Sequence, residues 1–381
     1  MDGIEEAVEK FRALLTEQVA RAKEIEKNAG ALDFSKVEKL RIGVIAGDGI
    51  GPVITREARR VLETLLGEEI AAGKIELVDI EGLTIENRRL AGKPVPDDVM
   101  EQIYTCPVLL KGPTETPKGG TLGSANVELR KRLDLYSNTR PVRIAEKGID
   151  WTFFRENTEG EYVLGSRGIE IGGVLACDFK VTTDAGTRRI ARAAFEYARA
   201  NKKDYVAVVT KANILKKTDG KFSEICREVA KDYPEITVED WYIDIMTANL
   251  VNPRVRSKFQ VILLPNLYGD IITDEAAQLQ GGVGTAGSAN LGDVYSMFEA
   301  IHGSAPRMIE EGRGMYANPT SMFKASEMLL RHIGFTEYAD KLDKALHICT
   351  EVEPKYVITG RSDGATCSQF GDYLMETIEK L

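Results

Sequence analysis

Short apolar runs alternate along this chain with longer segments of helical periodicity, and no other feature constrains its fold as much. Runs of strand length occur at Ile75–Ile80, Val108–Leu110, Trp151–Phe154, Val206–Val209 and Val261–Leu264. Helical periodicity covers Asp184–Ala200, Phe222–Asp232, Asp270–Gln280, Ser321–Ile333 and Tyr338–Cys349. Strands that alternate with helices predict an α/β fold with a largely parallel sheet.

The length, charge and cysteine content of the chain exclude several classes of protein. Its 381 residues suffice for one large or two medium domains, and without an apolar run of about 18 residues no membrane span is expected. The net charge of −9 and the pI of about 5.2 argue against a nucleic-acid binder. The five cysteines are scattered, which indicates a reducing compartment without disulfides or a zinc site. The acidic N-terminus resembles neither a secretory signal nor a transit peptide, so we expect a cytoplasmic location.

Residues 1–30 have the pattern of an amphipathic helix that precedes the first strand. Gly30 is a plausible end for this helix. We expect the helix to pack on the body of the protein or on a second subunit. Its apolar residues at helical spacing are Ile4, Val8, Phe11, Leu15 and Val19.

The segment LRIGVIAGDGIGPVITREARRVLETLL predicts a strand, a glycine turn and a helix. The turn does not match the dinucleotide-binding fingerprint GxGxxG, because Gly47, Gly49 and Gly51 alternate. We interpret it as a motif that turns the chain, with phosphate binding as the alternative.

Two aspartates, Asp270 and Asp274, follow the apolar run Val261–Leu264 and lie four residues apart. One interpretation is that they cap a helix and favour the positive end of its dipole. The other is a Mg²⁺ or Mn²⁺ site, because residues four apart share one helix face and these cations prefer oxygen ligands. Asp244, in an apolar helical run, is the candidate for a third carboxylate.

Arginines at predicted strand exits suggest a pocket for carboxylates. Arg140 precedes a proline, and Arg155 follows the run WTFF. The planar guanidinium group matches a carboxylate, although single arginines are usually solvated surface groups. The other candidates are Ser124, Asn126 and Arg130 in GSANVELR, Tyr162 in EGEYV, and Lys211 at the end of VAVVT.

The motifs GDGIGP, SANVELR, TRPVR, FRENTEGEYV, TKANILK, NLYGDIITD, FEAIHGSAP, ANP and SQFGD, in this order, resemble those of the β-decarboxylating dehydrogenases. Members of this family act on isocitrate, 3-isopropylmalate, homoisocitrate and tartrate or malate. The resemblance implies an isopropylmalate/isocitrate dehydrogenase-like three-layer α/β fold, and not a standard Rossmann domain. The implied parts are a helical extension at 1–38, a large domain at 39–135 and 281–381, a small domain at 136–159 and 184–280, and a clasp segment at 160–183.

The resemblance also implies a role for each candidate residue. Tyr162 protonates the carbanion after CO₂ leaves, and Lys211 serves in deprotonating the C2 hydroxyl. The substrate carboxylates are assigned to Ser124, Asn126, Arg130, Arg140 and Arg155, and the metal to Asp270 and Asp274 of one subunit with Asp244 of the other. The nucleotide is assigned to Thr116, Glu299, His302, Gly303, Arg307 and Asn318.

The same resemblance implies a small-molecule substrate and an obligate homodimer whose two active sites use both subunits. Ser124, Asn126 and the sequence RENTEGEY are similar to isocitrate enzymes, with homoisocitrate and 3-isopropylmalate as alternatives. NAD is the expected nucleotide, although Arg307 or Arg313 could bind the 2′-phosphate of NADP. A non-catalytic regulatory subunit is the alternative from another class, but such subunits lose catalytic residues that this chain retains.

Overall fold

The computed structural model describes residues 2–27, 30–117, 122–165 and 167–381, and in them strands alternate with helices as the sequence predicts. The strands are β1 (Leu40–Ile45), β2 (Ile75–Asp79), β3 (Val108–Lys111), β4 (Ser137–Ile144), β5 (Ile149–Glu156), β6 (Ile169–Ile171), β7 (Leu175–Cys177), β8 (Tyr205–Thr210), β9 (Thr237–Tyr242), β10 (Val261–Leu264), β11 (Gly287–Leu291) and β12 (Ser296–Ala300). The helices are α1 (Asp2–Lys27), α2 (Gly51–Leu65), α3 (Gly67–Ala71), α4 (Ile85–Ala91), α5 (Asp97–Tyr104), α6 (Ala125–Arg132), α7 (Asp184–Ala200), α8 (Thr218–Ala230), α9 (Ile243–Leu250), α10 (Asn266–Leu279), α11 (Pro306–Glu310), α12 (Thr320–His332), α13 (Thr336–His347) and α14 (Cys367–Lys380).

The chain divides into two compact units, and neither is continuous in sequence. Unit I comprises Met1–Gly30 and Tyr136–Ala276, and unit II comprises Ala31–Leu135 and Ala277–Leu381. The predicted extension and clasp segment stay predictions. Within the described ranges, no helix is both long and apolar enough to span a bilayer.

The sheet of unit I has the strand order β4-β5-β10-β8-β9. Strands β5, β10, β8 and β9 run parallel, and β4 is antiparallel to β5. Helices α7 and α8 pack on this sheet through buried side chains that include Phe195, Phe222 and Val206. Because the four parallel strands end at one edge, the residues that follow them are collected there.

The sheet of unit II has the strand order β2-β1-β3-β12-β11, with β11 as its antiparallel member. Its core includes residues of α2, α12, α13 and α14, among them Val61, Phe323, Leu342 and Leu374. Helix α14 packs against α2, and the Arg60 guanidinium lies 2.6 Å from the Asp372 carboxylate. An early and a late segment of unit II, α2 and α14, therefore share one core.

The glycine turn before α2 is a packed structural element. A Cβ on Gly49, whose φ is 59°, would lie 2.0 Å from the carbonyl oxygen of Ser304. The buried Asp48 carboxylate accepts backbone N–H bonds from Ile85 at 2.7 Å and Glu115 at 2.8 Å. These contacts support the interpretation of the motif as a turn.

Helix α1 forms where the pattern predicts it, but its orientation differs from the simplest expectation. The predicted apolar stripe is largely exposed, with Val8 and Leu15 each 50% accessible. The helix packs in unit I through Leu14, which contacts Val163 and Leu164. Its polar side chains also take part: Arg21 lies 3.2 Å from the Glu159 carboxylate, and Lys10 donates to a backbone carbonyl. The docking surface is thus partly polar, and the stripe does not define the buried face.

Candidate active site

The predicted functional residues of unit I follow the carboxyl ends of the parallel strands. Leu264, the last residue of β10, pairs with Arg155 near the end of β5. Thr210 at the end of β8 pairs with Tyr242 at the end of β9. Lys211 follows β8 directly, and Asp244 lies in the first turn of the helix after β9. Sheet register therefore brings together residues that are distant in sequence.

Arg155 is the best anchored of the predicted arginines. Its side chain is 1% exposed, and its guanidinium donates to Asn266 Oδ1 at 2.9 and 2.6 Å and to Asp270 Oδ1 at 2.5 Å. A Cβ on Gly269 would lie 2.5 Å from Arg155 Cγ, so this glycine makes room for the arginine against α10. The first turns of α10 and the end of β5 thus form one charged, hydrogen-bonded unit.

Tyr162 and Arg140 complete the group around α10. The Tyr162 hydroxyl donates to Asp270 Oδ2 at 2.7 Å. Arg140, on β4, donates to Thr273 Oγ1 and lies 3.3 Å from Asp274 Oδ1. The structure therefore brings Arg140, Arg155 and Tyr162 together with both predicted metal aspartates.

The positions of Asp270 and Asp274 fit a divalent cation better than a helix cap. Helix α10 begins at Asn266, four residues earlier than predicted, so neither aspartate is at its N-terminus. Their side chains are 44% and 62% exposed and lie on one face of the helix. Burial raises the pKa of Asp274; the nearby Arg140 opposes this shift and the like charge of Asp270 adds to it. Two adjacent accessible carboxylates are the ligands that Mg²⁺ and Mn²⁺ prefer.

Asp244 does not have the environment that its apolar neighbours suggested. Its side chain is 66% exposed, and it forms an ion pair with Lys211 Nζ at 2.7 Å. The hydrogen bond from Lys211 lowers the pKa of Asp244. Among the residues that the structure describes, no three His, Cys, Asp or Glu side chains form a group that could hold a metal. The single chain thus supplies two of the three predicted carboxylates at α10, and the third stays a prediction.

Two of the predicted substrate residues of unit II, Asn126 and Arg130, meet at a buried carboxylate. Glu299 accepts from Lys111 at 3.2 Å, Asn126 at 3.1 Å, Arg130 at 3.3 Å and Asn290 at 2.9 Å. Burial would raise the pKa of Glu299, but the Lys111 and Arg130 charges hold it below its usual value. Ser124 precedes α6, where its side chain caps the helix. The carboxylate that Asn126 and Arg130 bind here belongs to the protein itself.

The remaining predicted nucleotide residues lie in or near loops of unit II. His302 Nδ1 donates to the Gly303 carbonyl oxygen at 2.9 Å, and burial lowers the pKa of His302. A Cβ on Gly303 would meet open space. Arg307 is 85% exposed and pairs with Glu311 at 2.6 Å. Asn318 Oδ1 accepts from the Thr320 N–H, and Thr116 is exposed.

Several residues that shape these groups were not predicted. Asn266 orients Arg155, and Lys111 is the buried counter-ion of Glu299. Lys111 ends an apolar strand run and Asn266 comes two residues after one, and these positions were the available signal. Gly269 and Glu156 carry no comparable signal, because their importance depends on what packs against them.

Glu156 and Glu159 form a pair of buried carboxylates next to the site. Glu156 accepts from the Thr158 N–H at 2.9 Å and the Glu159 N–H at 2.6 Å, while Glu159 accepts from Thr183 and Arg21. Burial, followed by the like charge of Glu159, raises the pKa of Glu156 to about 7. Glu156 therefore binds a proton more tightly in the folded protein than in the unfolded chain.

The Glu156→Gln variant is expected to lose part of the pH dependence of stability. Between the ordinary carboxyl pKa of 4.5 and the folded value of about 7, the folded wild type binds more protons than the unfolded chain. The free energy of unfolding of the wild type should therefore fall relative to that of the variant as pH rises from about 5 to about 7. Urea unfolding of both proteins across this range measures the difference. A difference that does not change with pH contradicts the prediction.

The sequence and the structure of the chain are both similar to those of known proteins. The family model described as isocitrate/isopropylmalate dehydrogenase matches residues 41–374. An Arabidopsis thaliana protein named isocitrate dehydrogenase [NAD] catalytic subunit 5, mitochondrial, is 39% identical, with coverage of 85% of this chain and 84% of its own. A Dictyostelium discoideum protein, named as a regulatory subunit of mitochondrial isocitrate dehydrogenase [NAD], is 37% identical, with coverage of 90% and 93%. The crystal structure of isocitrate dehydrogenase from Methylococcus capsulatus superposes with a TM-score of 0.79 at 34% identity, with coverage of 89% and 99%.

The comparisons contradict the location expected from the sequence. The predicted cytoplasmic location is contradicted by the relatives, whose names place them in mitochondria. It depended on the composition of the first residues, which does not report where the folded protein works. The relatives are also named as subunits, so the expected homodimer stays a prediction.

Proposed function

The chain belongs to the isocitrate/isopropylmalate dehydrogenase family, and on that premise we propose that it oxidises isocitrate with NAD and decarboxylates it to 2-oxoglutarate through oxalosuccinate. One observation carries this proposal: Arg140, Arg155 and Tyr162 converge on Asp270 and Asp274. A group with two guanidinium ions, two carboxylates and a phenol suits an anionic substrate that chelates a divalent cation.

The side chains of unit I then have distinct tasks. Arg140 and Arg155 bind substrate carboxylates, because their guanidinium groups already lie at the aspartates where substrate and cation would meet. Asp270 and Asp274 would hold Mg²⁺ or Mn²⁺, which would supply Lewis-acid chemistry at the site. NAD, when bound, would supply the acceptor for the hydride of C2.

Two side chains move protons in this proposal. Lys211 serves in deprotonating the C2 hydroxyl, and its ammonium group lies 2.7 Å from the Asp244 carboxylate. Tyr162 donates a proton to the carbanion carbon after CO₂ leaves. Its hydroxyl already donates to Asp270, so the acid lies beside the proposed metal ligands.

NAD is favoured over NADP by the charges near Arg307. The Arg307 guanidinium lies 2.6 Å from Glu311, and Arg313 lies 2.5 Å from the same carboxylate. A 2′-phosphate would have to displace this acid from both arginines. The names of the relatives also specify NAD.

The Arg307→Asp variant is expected to lower residual NADP use and to leave NAD use within about threefold, since only the 2′-phosphate would contact this side chain. The ratio of initial rates with NADP⁺ and NAD⁺ measures the effect. Arg331→Asp is the matched control, because Arg331 also pairs with an acid four residues away on a helix of unit II. An unchanged ratio in the Arg307 variant excludes this residue as a nucleotide discriminator.

A second subunit is part of the proposal. Next to Lys211 and Asp244 lie exposed apolar side chains, with Ile214 67% and Ile245 49% accessible. Apolar surface beside a pair of reactive side chains is expected where another subunit packs. We propose a homodimer in which Lys211 and Asp244 act at the partner's site.

A regulatory subunit is the second candidate, because one relative carries that name. The contacts around α10 argue against it, since a subunit without catalysis does not need Tyr162 on Asp270. Failure of the chain to turn over substrate alone, with restored activity on addition of a second chain, would support it.

Initial rates of NAD⁺ and NADP⁺ reduction with Mn²⁺ test the proposed function. The substrates are isocitrate, homoisocitrate, 3-isopropylmalate, tartrate and malate, each with and without excess chelator. Chelator-sensitive turnover of isocitrate is the expected result. Turnover of another substrate alone would agree with the proposed mechanism but contradict isocitrate as the substrate. No turnover with any of these substrates would favour the alternative that the chain is a regulatory subunit.

A further inference from the structure

A fully buried carboxylate in unit I lies behind Lys211 and has no assigned role. Asp219, the second residue of α8, has a side-chain exposure of 0%. Its Oδ2 accepts the backbone N–H of Lys211 at 2.7 Å, and its Oδ1 lies 2.6 Å from Lys180 Nζ. The carboxylate thus connects the turn after β8 with the segment that carries Lys180.

Lys180 also connects the same carboxylate with Tyr268 of α10. Lys180 Nζ lies 4.3 Å from the centre of the Tyr268 ring, and burial, followed by the nearby Asp219 charge, raises the pKa of Tyr268. Tyr268 lies two residues before Asp270 on the helix that carries the proposed metal ligands. Three segments of unit I therefore meet at one buried charge, which Lys180 compensates.

The turn that presents Lys211 is held at both of its backbone groups. The Lys211 N–H is bound by Asp219, and its carbonyl oxygen accepts from Ile214 and Leu215, each at 2.9 Å. The backbone of residue 211 is therefore fixed, while its side chain extends to Asp244. Loss of the Asp219 bond would leave a partly buried N–H without its acceptor and release the turn.

We propose that Asp219 is the positioning residue for Lys211, held in orientation by Lys180; this rests on the proposed function. The carboxylate fixes the backbone from which the Lys211 ammonium group reaches its target. Misplacement of a reacting group by about 1 Å can cost about a hundredfold in rate. The effect of Asp219 therefore acts through Lys211 and not through substrate or metal binding.

Two measurements on Asp219→Asn test this role. Amide hydrogen exchange of the peptide that covers residues 209–216 reports on the turn without requiring activity, and we expect it to accelerate at least about tenfold. The kcat for isocitrate should fall at least about tenfold, with KM and Mn²⁺ affinity within about threefold. Glu57→Gln is the matched control, because Glu57 is a buried acid of unit II paired with Arg60. This control should leave both readouts within about twofold of the wild type.

A double-mutant cycle separates positioning from a general effect on the fold. In a Lys211→Met background, Asp219→Asn should cause no further loss of kcat, because the residue through which it acts is absent. An equal fractional loss in both backgrounds overturns the proposal, and so do unchanged exchange and kcat in the single variant. If wild-type isocitrate turnover is absent while the exchange accelerates, the proposed reaction fails and the positioning of the turn stands.

Lys180→Gln keeps the test decisive if Asp219→Asn does not fold. It removes the ammonium group that lies 2.6 Å from Asp219 Oδ1 and leaves the Asp219 carboxylate in place. We expect faster exchange of the 209–216 peptide and a kcat lower by about threefold or more. Wild-type values of both in a folded Lys180→Gln protein contradict the proposal.

Discussion

The Asp270→Asn variant is expected to lose turnover by at least about a hundredfold, because Lewis-acid stabilisation is worth several kcal/mol and each 1.4 kcal/mol is about tenfold in rate. The substitution removes an anionic metal ligand. It also replaces the Asp270 carboxylate, which accepts hydrogen bonds from Arg155 and Tyr162, with a neutral amide. Steady-state isocitrate oxidation measures the loss of rate. Titration with Mn²⁺, followed by electron paramagnetic resonance, measures the loss of affinity.

Asp150→Asn is the matched control for Asp270→Asn. Asp150 is also a half-exposed aspartate of unit I, and it pairs with Lys203 at 2.7 Å. This variant should bind Mn²⁺ and turn over isocitrate like the wild type. If Asp270→Asn keeps its Mn²⁺ affinity and its rate, the proposed metal site at α10 is wrong.

The Tyr162→Phe variant is expected to slow overall turnover by about a hundredfold, within the range that general acid catalysis contributes. Reduction of added oxalosuccinate by NADH should remain measurable, because that half-reaction does not require protonation of the carbanion. The two rates therefore separate the acid from the hydride-transfer step. Equal effects on both half-reactions, or no effect on either, would exclude Tyr162 as the acid.

Tyr162→Phe also removes a hydrogen bond to Asp270, and a second comparison accounts for this. Mn²⁺ affinity of the variant shows whether the metal ligand has moved. Tyr233→Phe is the control, because the Tyr233 hydroxyl donates to the Glu196 carboxylate at 2.7 Å within unit I, as Tyr162 does to Asp270. It should leave turnover and Mn²⁺ affinity unchanged.

Strong local patterns were enough to predict several elements of the fold. Strand β10 and helix α7 have the predicted bounds, because an uninterrupted apolar run and a regular helical period leave few alternatives. The start of α10 was predicted four residues late. Gly269 is the fourth residue of this helix, and glycine is a poor helix former. It is needed here because a Cβ at this position would collide with the Arg155 side chain.

Burial was harder to predict than secondary structure. Asp244 was expected to be buried because its neighbours are apolar, yet Ile245 itself is 49% exposed. The same holds for α1, where Leu14 is buried and Leu15 is exposed. An apolar side chain shows that a surface is available for packing, but the sequence does not show which surface covers it.

The contacts of the site depend on sheet register, which motif spacing does not contain. Arg155 and Asp270 are 115 residues apart, and Asn126 and Glu299 are 173 apart. The resemblance to a family supplied the identity of these residues. It did not supply Asn266, Lys111 or Asp219, because their roles follow from the groups that they hold in place.

The shared core of α2 and α14 has a consequence for synthesis on the ribosome. Helix α2 is synthesised early, but the ion pair between Arg60 and Asp372 can form only after Asp372 has been synthesised, more than 300 residues later. Unit I is complete once residue 276 has emerged, so it can fold while the chain is still growing. The core of unit II cannot be completed around its early strands and α2 until α14 has been synthesised. The nascent chain therefore exposes the apolar face of α2 for most of its translation, and this interval is where we expect chaperones to bind.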